Sequence, residues 1–492
     1  MKFFSLAVCF VAMATMIGCA KDNEQPADKV VTSTVTVGLE SADASKLLDN
    51  SGANLTRAFA ADEKIAVVYE NTSSTMVKAE VTLAAGNITN DGKTATITVA
   101  MTNPKTNGTL KLIYPASMAK ANGTVNWDAL YNNQDGTLGT LSSHFDFSMY
   151  EGTLDGTNLP ADPVMESQVA ICKFTVKRIP LFWPTDITND ITKLTVKNGS
   201  DIYSVNTSSL SEIWVAVKPV TSGDITVYAA EGKKLYEKTV TGKTLAANTP
   251  YAINLTPTLV PNAVSGLFRV NNDLIYFSEG NLFANVSNGS ITGYQFGTNQ
   301  YTIGETDDVS TNYAGYTGLV GLFGWGNNSN NLNTSDHYAE YGPTGMVNLS
   351  GSTDWGSLVS GSWRTPSTDE WQGVFNGHTY GMATVNGVHG IVILPYNTTV
   401  ASFNTNHSAW TDNPYADAAA WAPMEAAGAV FLPAAGIRDG TNVFGVGYYG
   451  LYWSSTANDE LNAWSVLFNE LNVSPDIYFI RNYGQSVRLV GM

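Results

Sequence analysis

The chain has 492 residues, a formal net charge of −17 and only 14% charged side chains. A surface of that sign repels nucleic acid phosphates and anionic lipid headgroups, which excludes both as partners. Its 44 Gly and 23 Tyr, with abundant Asn and Thr and no sustained helical periodicity, describe a mainly β extracellular protein.

The chain opens on a processing signal. Lys2 gives a positive start, Phe3 to Ile17 is apolar or small, and Met16-Ile-Gly-Cys19 closes a run too short to span a bilayer stably. These four residues resemble a bacterial lipobox, which implies a signal peptide over residues 1–18 and acylation of Cys19 as the mature N-terminus. The membrane is then reached by a lipid anchor only. Residues 19–30 form a polar tether, and Lys21-Asp-Asn-Glu24 within it resembles the surface-export signal of Bacteroidetes lipoproteins, implying the outer face of an outer membrane. Of the three cysteines, Cys9 leaves with the signal and Cys19 carries lipid, so Cys172 is left without an intrachain mate. Set in Val169-Ala-Ile-Cys-Lys-Phe-Thr-Val176, it reads as a small buried residue on a strand.

Period-two alternation punctuated by Asn, Asp and Gly predicts strands at 31–38, 64–70, 94–100 after the Asn90-Asp-Gly92 turn, and 109–115. Together they predict a β-sandwich over 31–168. A second sandwich over 169–256 is predicted from runs at 169–176, 193–196, 212–217, 224–228 and 250–255. In order and spacing, the passage from Thr56-Arg-Ala-Phe59 to Val67, the strand end Leu112-Ile-Tyr-Pro115 and the stretch Leu245-Ala-Ala-Asn-Thr-Pro-Tyr-Ala-Ile-Asn254 resemble the fimbrillin family of Bacteroidetes pilus subunits. That resemblance implies pilus subunits as partners through strand addition, into a groove that a trypsin-like protease opens by cutting after Arg or Lys. Arg57, which follows the first strand, is the candidate processing site. Residues 257–264 form a linker stiffened by Pro257 and Pro261, and the composition then shifts to Gly, Asn, Trp and Tyr over 265–492.

Four landmarks mark that last domain: Leu274-Ile-Tyr-Phe-Ser-Glu-Gly-Asn-Leu282, Gly321-Leu-Phe-Gly-Trp-Gly326, Trp363-Arg-Thr-Pro-Ser-Thr-Asp-Glu-Trp371 and Val430-Phe-Leu-Pro-Ala-Ala-Gly436. In the third, Ser367 and Glu370 form a capping box, and Trp371, Val374 and Phe375 fall on one helical face. In this order they resemble the C-type-lectin-like domain called the Fibrobacter major paralogous domain, which implies short helices on irregular antiparallel sheet. Two fimbrillin-like β-sandwiches followed by this mixed α+β domain are therefore the expected architecture. Formylglycine-generating enzymes share that fold, but residues 265–492 hold no Cys, so their thiol chemistry is excluded. His144, His337, His378, His389 and His407 show no metal-ligand spacing, and the Glu-Pro-Asn and Trp-Asn-Asp triplets of calcium-dependent lectins are missing, although Trp410-Thr-Asp-Asn413 comes near the second. No catalytic residue and no cofactor is expected, and a structural calcium stays open.

The chain closes on Gly447-Tyr-Tyr-Gly-Leu-Tyr-Trp-Ser-Ser-Thr456 and Arg481-Asn-Tyr-Gly-Gln-Ser-Val-Arg-Leu-Val490, which bracket a stretch crowded with Tyr, Asn, Asp, Ser and Ile. In relatives of this domain the segment can be the variable region of a diversity-generating retroelement. On that resemblance Trp453, Ala463, Trp464, Phe468, Arg481 and Arg488 match the fixed frame, with Arg488 pairing inside. The intervening Tyr448, Tyr449, Leu451, Asp459, Asn462, Ser465, Leu467, Asn469, Asp476, Ile477, Tyr478, Ile480, Asn482 and Tyr483 are the candidate ligand-binding face. Tyr and Asn suit an adaptable contact surface. For Ile477, Phe479 and Ile480 a continuous buried strand is the equal alternative. The function implied is a surface adhesin binding an unknown protein or glycan. With its C-terminus occupied by a globular domain, it is expected to sit at a pilus tip or, if Arg57 is not cut, to remain a lipid-anchored receptor or structural lipoprotein.

Overall fold

The computed structural model describes residues 28–40, 57–179, 183–288, 290–304, 316–326, 348–439 and 442–492. The signal peptide, Cys19, most of the tether and His337 lie outside them. The chain is mainly β, with short helices, the longest being Thr368–Gly377 and Ala418–Ala426.

The first block is one eight-stranded sheet in the order Met76–Thr82, Lys64–Glu70, Thr109–Tyr114, Ser148–Thr153, Val164–Ser167, Val30–Leu39, Thr94–Thr102, Ile88–Thr89. Alternation decides its faces. Val35, Val37 and Leu39 point inward with Ala95, Ile97, Val99 and Met101, while the outward threonines pair across strands, Thr34 with Thr98 at 2.8 Å and Thr36 with Thr96 at 3.3 Å. The sheet curls until the Met76–Thr82 edge approaches Thr94–Thr102, and its concave side encloses Val37, Ile65, Val67, Ile97 and Leu112 in one cluster.

The convex side is apolar as well. Ala66, Val68 and Ile113 pack under Met118, Leu130 and Phe147, and through these the core runs on to Cys172 and Phe174 of the second block. The boundary expected near 168 is thus a change of sheet within a continuous core. The second block is a two-layer sandwich. Ala170–Arg178, flanked by Ile213–Val217, Thr249–Leu255 and Thr185–Asp186, faces a sheet in the order Asp201–Asn206, Lys193–Asn198, Val220–Glu231, Lys234–Leu245, Thr258–Leu259.

Outer residues of that second sheet, Ile202, Tyr228 and Leu235, are buried against Ala263, Leu267, Leu274 and Trp363 of the C-terminal part. Polar contacts frame this junction. Lys193 Nζ donates to the carbonyls of Tyr396 and Asn397 and to Thr398 Oγ1, Asn397 Nδ2 reaches the carbonyl of Ser204 at 3.4 Å, and Lys197 pairs with Asp273 at 3.0 Å.

Residues 265–492 close on themselves, because Asp273–Phe277 pairs with Val490–Gly491. The Thr368–Gly377 helix begins as the capping box predicts: Ser367 Oγ accepts from Glu370 N at 3.2 Å and the Glu370 carboxylate accepts from Ser367 N at 2.8 Å. The same carboxylate receives both terminal nitrogens of Arg364, at 2.6 and 2.5 Å. Trp371, Val374 and Phe375 then bury one helical face against Tyr452, Val466 and Phe468 of a seven-stranded sheet. On the reverse face of that sheet Trp453 donates its indole N–H to the Phe323 carbonyl and Trp325 donates to the Ser454 carbonyl, each at 2.7 Å.

Candidate binding face

The closing segment forms three neighbouring strands of the seven-stranded sheet, Gly450–Ala457, Asn462–Asn469 and Asn472–Ile480, and the last of these is the sheet's edge. Gly450 is fixed by close packing: a Cβ there would lie 1.9 Å from the Phe468 ring. In the edge strand the row Asp476-Ile-Tyr-Phe-Ile480 does alternate. Asp476, Tyr478 (54% exposed) and Ile480 (43%) face solvent, whereas Ile477 and Phe479 are half-buried and Phe479 packs beneath the sheet with Trp453 and Ala463.

Register sets which side chains meet. Trp464 lies opposite Tyr478, with the rings edge-to-face at 5.6 Å, and Asn462 lies opposite Ile480. This half-exposed Trp464, expected to pack inside, instead shares the outward surface. It looked like frame because Val466 and Phe468, two and four residues on, occupy the same face but are covered by the Thr368–Gly377 helix. Beyond the helix Trp464 is half-exposed and Tyr478 and Ile480 are exposed on that face. Asp476, exposed on the same face two residues before Tyr478, borders the Trp464–Tyr478 pair, and Leu461, 48% exposed, lies in the turn that precedes Asn462.

The turn beside the patch is locked. Asp459 Oδ1 accepts from the backbone N–H groups of Leu461 and Asn462 at 2.8 and 2.7 Å and from Asn462 Nδ2 at 3.0 Å, and these hydrogen bonds, that of the Asn462 side chain foremost, hold its carboxyl below the usual range. Arg481, buried, lies over the Trp325 ring at 4.4 Å and donates to the Asp459 carbonyl. Gln372 Nε2 reaches Asp476 Oδ2 at 3.1 Å, tying helix to edge strand.

Other candidates fall elsewhere. Tyr448 (69% exposed) and Tyr449 (44%) sit in a turn with Gly445 and Gly447 at φ +74° and +80°. They precede Gly450, which pairs with Phe468, four residues from Trp464; at about 3.3 Å per residue that offset alone is about 13 Å along the strand. The exposed tyrosines therefore make two patches at opposite ends of the sheet, with Leu471 beside the Tyr448 end. Leu467 is half-buried on the sheet's reverse face, as the cross-strand partner of Leu451. Asn469 Oδ1 accepts from Leu471 N and Asn472 N at 2.8 and 2.9 Å and serves its turn.

Three candidates are corrected. Leu451 is 2% exposed, because it lies on the sheet's underside opposite Leu467. Ser465 is fully buried, its Oγ bonded to Gln485 Oε1 at 2.5 Å, and Asn482 is buried directly after Arg481. None can contact a ligand without unfolding the sheet. Tyr483 is half-buried and edge-on to Phe479. Arg488 is fully buried, as expected, but its partners are amides: Nη2 donates to Gln300 Oε1 at 2.9 Å and Nη1 to Asn281 Oδ1 at 3.4 Å.

Arg57 is 7% exposed. Its Nε contacts Asp146 Oδ2 at 2.5 Å and its Nη1 donates to Asn248 Oδ1 at 2.6 Å, while Asp146 Oδ1 also accepts from Ser167 Oγ at 2.7 Å. The guanidinium thus bolts the first block to the turn before Thr249–Leu255.

No cluster of three or more His, Cys, Asp or Glu suited to a metal exists among the described residues, and none of their helices is long and apolar enough to cross a membrane. His378 is structural: Nε2 accepts from Arg269 N at 3.0 Å and burial holds its pKa down. His389 stacks on Trp410 and His407 on Tyr380.

No family model and no curated protein matches the chain. Among solved structures it is similar to a candidate cell adhesion protein from Bacteroides ovatus (12% identity, 47% of this chain, 96% of that one, TM-score 0.30). It is similar also to a fimbrial assembly protein from Parabacteroides distasonis (10%, 51% and 97%, TM-score 0.27) and to a fimbrial protein from B. ovatus (7%, 94% and 100%, TM-score 0.25). Likenesses at these scores carry no functional argument, which leaves the chain's own surfaces to supply one.

Proposed function

We propose that the chain is a cell-surface adhesin whose C-terminal domain, lectin-like by its sequence landmarks, binds a protein or glycan through the Trp464–Tyr478 end of its sheet. The observation that carries this is the exposed outward face of an edge strand, where Tyr478 and Ile480 stand beside Trp464 and Asn462. Aromatic anchors over a rigid sheet, rimmed by polar groups, are the make-up of a binding hot spot. Variation by a retroelement would alter Tyr478 and Ile480 while Trp453, Trp464, Arg481 and Arg488 hold the frame. The full mature chain on glycan and protein arrays, beside Trp464→Ala/Tyr478→Ala, tests the proposal: ligands lost by that variant support it, and a binding profile the variant leaves unchanged refutes it.

Placement at a pilus tip or on a lipid anchor is a separate proposal. Burial of Arg57 favours the anchored receptor, because a trypsin-like protease must take the arginine side chain into its own pocket. Mass spectrometry of the mature N-terminus separates the two: acylated Cys19 supports the anchor, and a chain beginning at Ala58 supports the pilus tip.

A further inference from the structure

A pocket of about 400 Å³ opens where the second block meets the C-terminal part. The strand around Glu237 and the stretch Thr258 to Pro261 form one side, and Tyr276, Ser362 and Trp363 form the other. Register places its one carboxylate. Glu237 lies opposite Tyr228 and Thr258, on the sheet face that Tyr228 and Leu235 bury against the C-terminal part. Because successive residues of a strand point to opposite faces, Lys238 leaves from the other side, that of Val240 and the sandwich core.

Glu237 is half-buried, and among the described residues no hydrogen bond or ion pair reaches its side chain. The hydroxyls of Thr258, Tyr276 and Ser362 are equally unengaged there. Burial pushes the Glu237 carboxyl above its ordinary range with no cation to offset it. Its charge adds to the burial that raises the Tyr276 phenol to about 12, so carboxylate and phenol lie close together.

We propose that this pocket binds a primary alkylammonium group, on a free amine or at the end of a lysine side chain. An ammonium carries three N–H donors and no acceptor. Glu237 supplies the counter-charge and the Tyr276 and Ser362 oxygens supply further lone pairs, while Leu259 and Val260 line a path for the methylene stem. A sugar would need an open aromatic face, and Tyr276 and Trp363 are only 4% and 8% exposed, their rings edge-to-face at 5.7 Å. The net charge of −17 draws cations toward the chain. The pocket is separate from the Trp464–Tyr478 face and needs no ligand there.

Calorimetric titration of the full mature chain at neutral pH tests this with n-pentylammonium, Nα-acetyl-lysine methylamide and n-pentanol. At least one ammonium compound should bind with a millimolar or tighter Kd, and n-pentanol, the same stem without the charge, about tenfold or more weakly. Binding of n-pentylammonium alone supports the proposal with a free amine as the ligand, and binding of the lysine derivative supports it with a lysine side chain. Glu237→Gln keeps the shape and removes the charge, so it should weaken ammonium binding about tenfold or more at an unchanged melting temperature. Glu237→Lys, which brings a like charge into the pocket, should abolish it. Wild type that binds neither ammonium compound overturns the proposal. So does n-pentanol binding as tightly as n-pentylammonium, or Glu237→Gln titrating like wild type.

Discussion

Replacing Asp146 with Ala should loosen the whole N-terminal half. Arg57 and Asp146 meet at 2.5 Å with side-chain exposures of only 5% and 2%, so removal of the carboxylate strands a cation within the protein. Two charges in contact at an effective dielectric of about 20 are worth about 4 kcal/mol, and breaking a buried pair from one side costs about 3–5 kcal/mol. Asn248 Oδ1 remains as one acceptor for the guanidinium, which places the expected loss near the lower bound, about 3 kcal/mol. Against a total of about 5–15 kcal/mol this raises the unfolded fraction by about two decades. Urea unfolding of wild type, Arg57→Ala, Asp146→Ala and the double variant measures it, and the double should cost at least about 2 kcal/mol less than the sum of the singles. Trypsin should release a chain beginning at Ala58 faster from Asp146→Ala than from wild type. An Asp146→Ala cost below about 1 kcal/mol, or equal rates of cutting, would refute the latch.

Gly450→Ala should lower the urea midpoint of the C-terminal part, at a cost of about 1–3 kcal/mol or more, because the new Cβ meets the Phe468 ring; a neutral substitution would mean the sheet gives way. Cys172 is buried and its thiol is pushed up to about 12 by burial, so it should resist alkylation in the native protein and react on unfolding, as mass spectrometry of trapped thiols would show. Lys193, half-buried at the junction of the second and C-terminal parts, is pushed down to about 8 by desolvation from its ordinary 10.5. Between those values the unfolded chain holds the proton that the folded chain has lost, so stability rises with pH through that window. The stability difference between wild type and Lys193→Met should therefore shift in favour of wild type from pH 8 to 10; a constant difference contradicts it.

Local signals carried much of the fold. The strand at Lys64–Glu70, the turn at Asn90 to Gly92 with all three residues at positive φ, and the capping box at Ser367 occur where the sequence puts them, since each is specified by a few adjacent residues. The strand Lys234–Leu245 was not foreseen, because its exposed lysines and threonines hide the alternation. The hairpin of Tyr380–Val385 and Val388–Ile393 was legible but unread: Asn386-Gly387, at φ +49° and +81°, is a two-residue hairpin turn between apolar runs. What single strands could not disclose is cover by a neighbour. Trp464, Val466 and Phe468 share a face, and only the position of the Thr368–Gly377 helix makes the first outward and the others core. Leu451 and Ser465 failed as candidates for the same reason, since neither local composition nor spacing shows which face of a central strand meets Trp453 and Gln485.

Binding of the full mature chain to glycan and protein arrays, with Trp464→Ala/Tyr478→Ala beside Tyr448→Ala/Tyr449→Ala, tests the central proposal most directly. The first pair should abolish binding to whichever ligands wild type captures and the second should leave it largely intact, with equal melting temperatures throughout. Loss only with Tyr448→Ala/Tyr449→Ala, or wild-type binding by both variants, would contradict a binding face at the Trp464–Tyr478 end of the sheet.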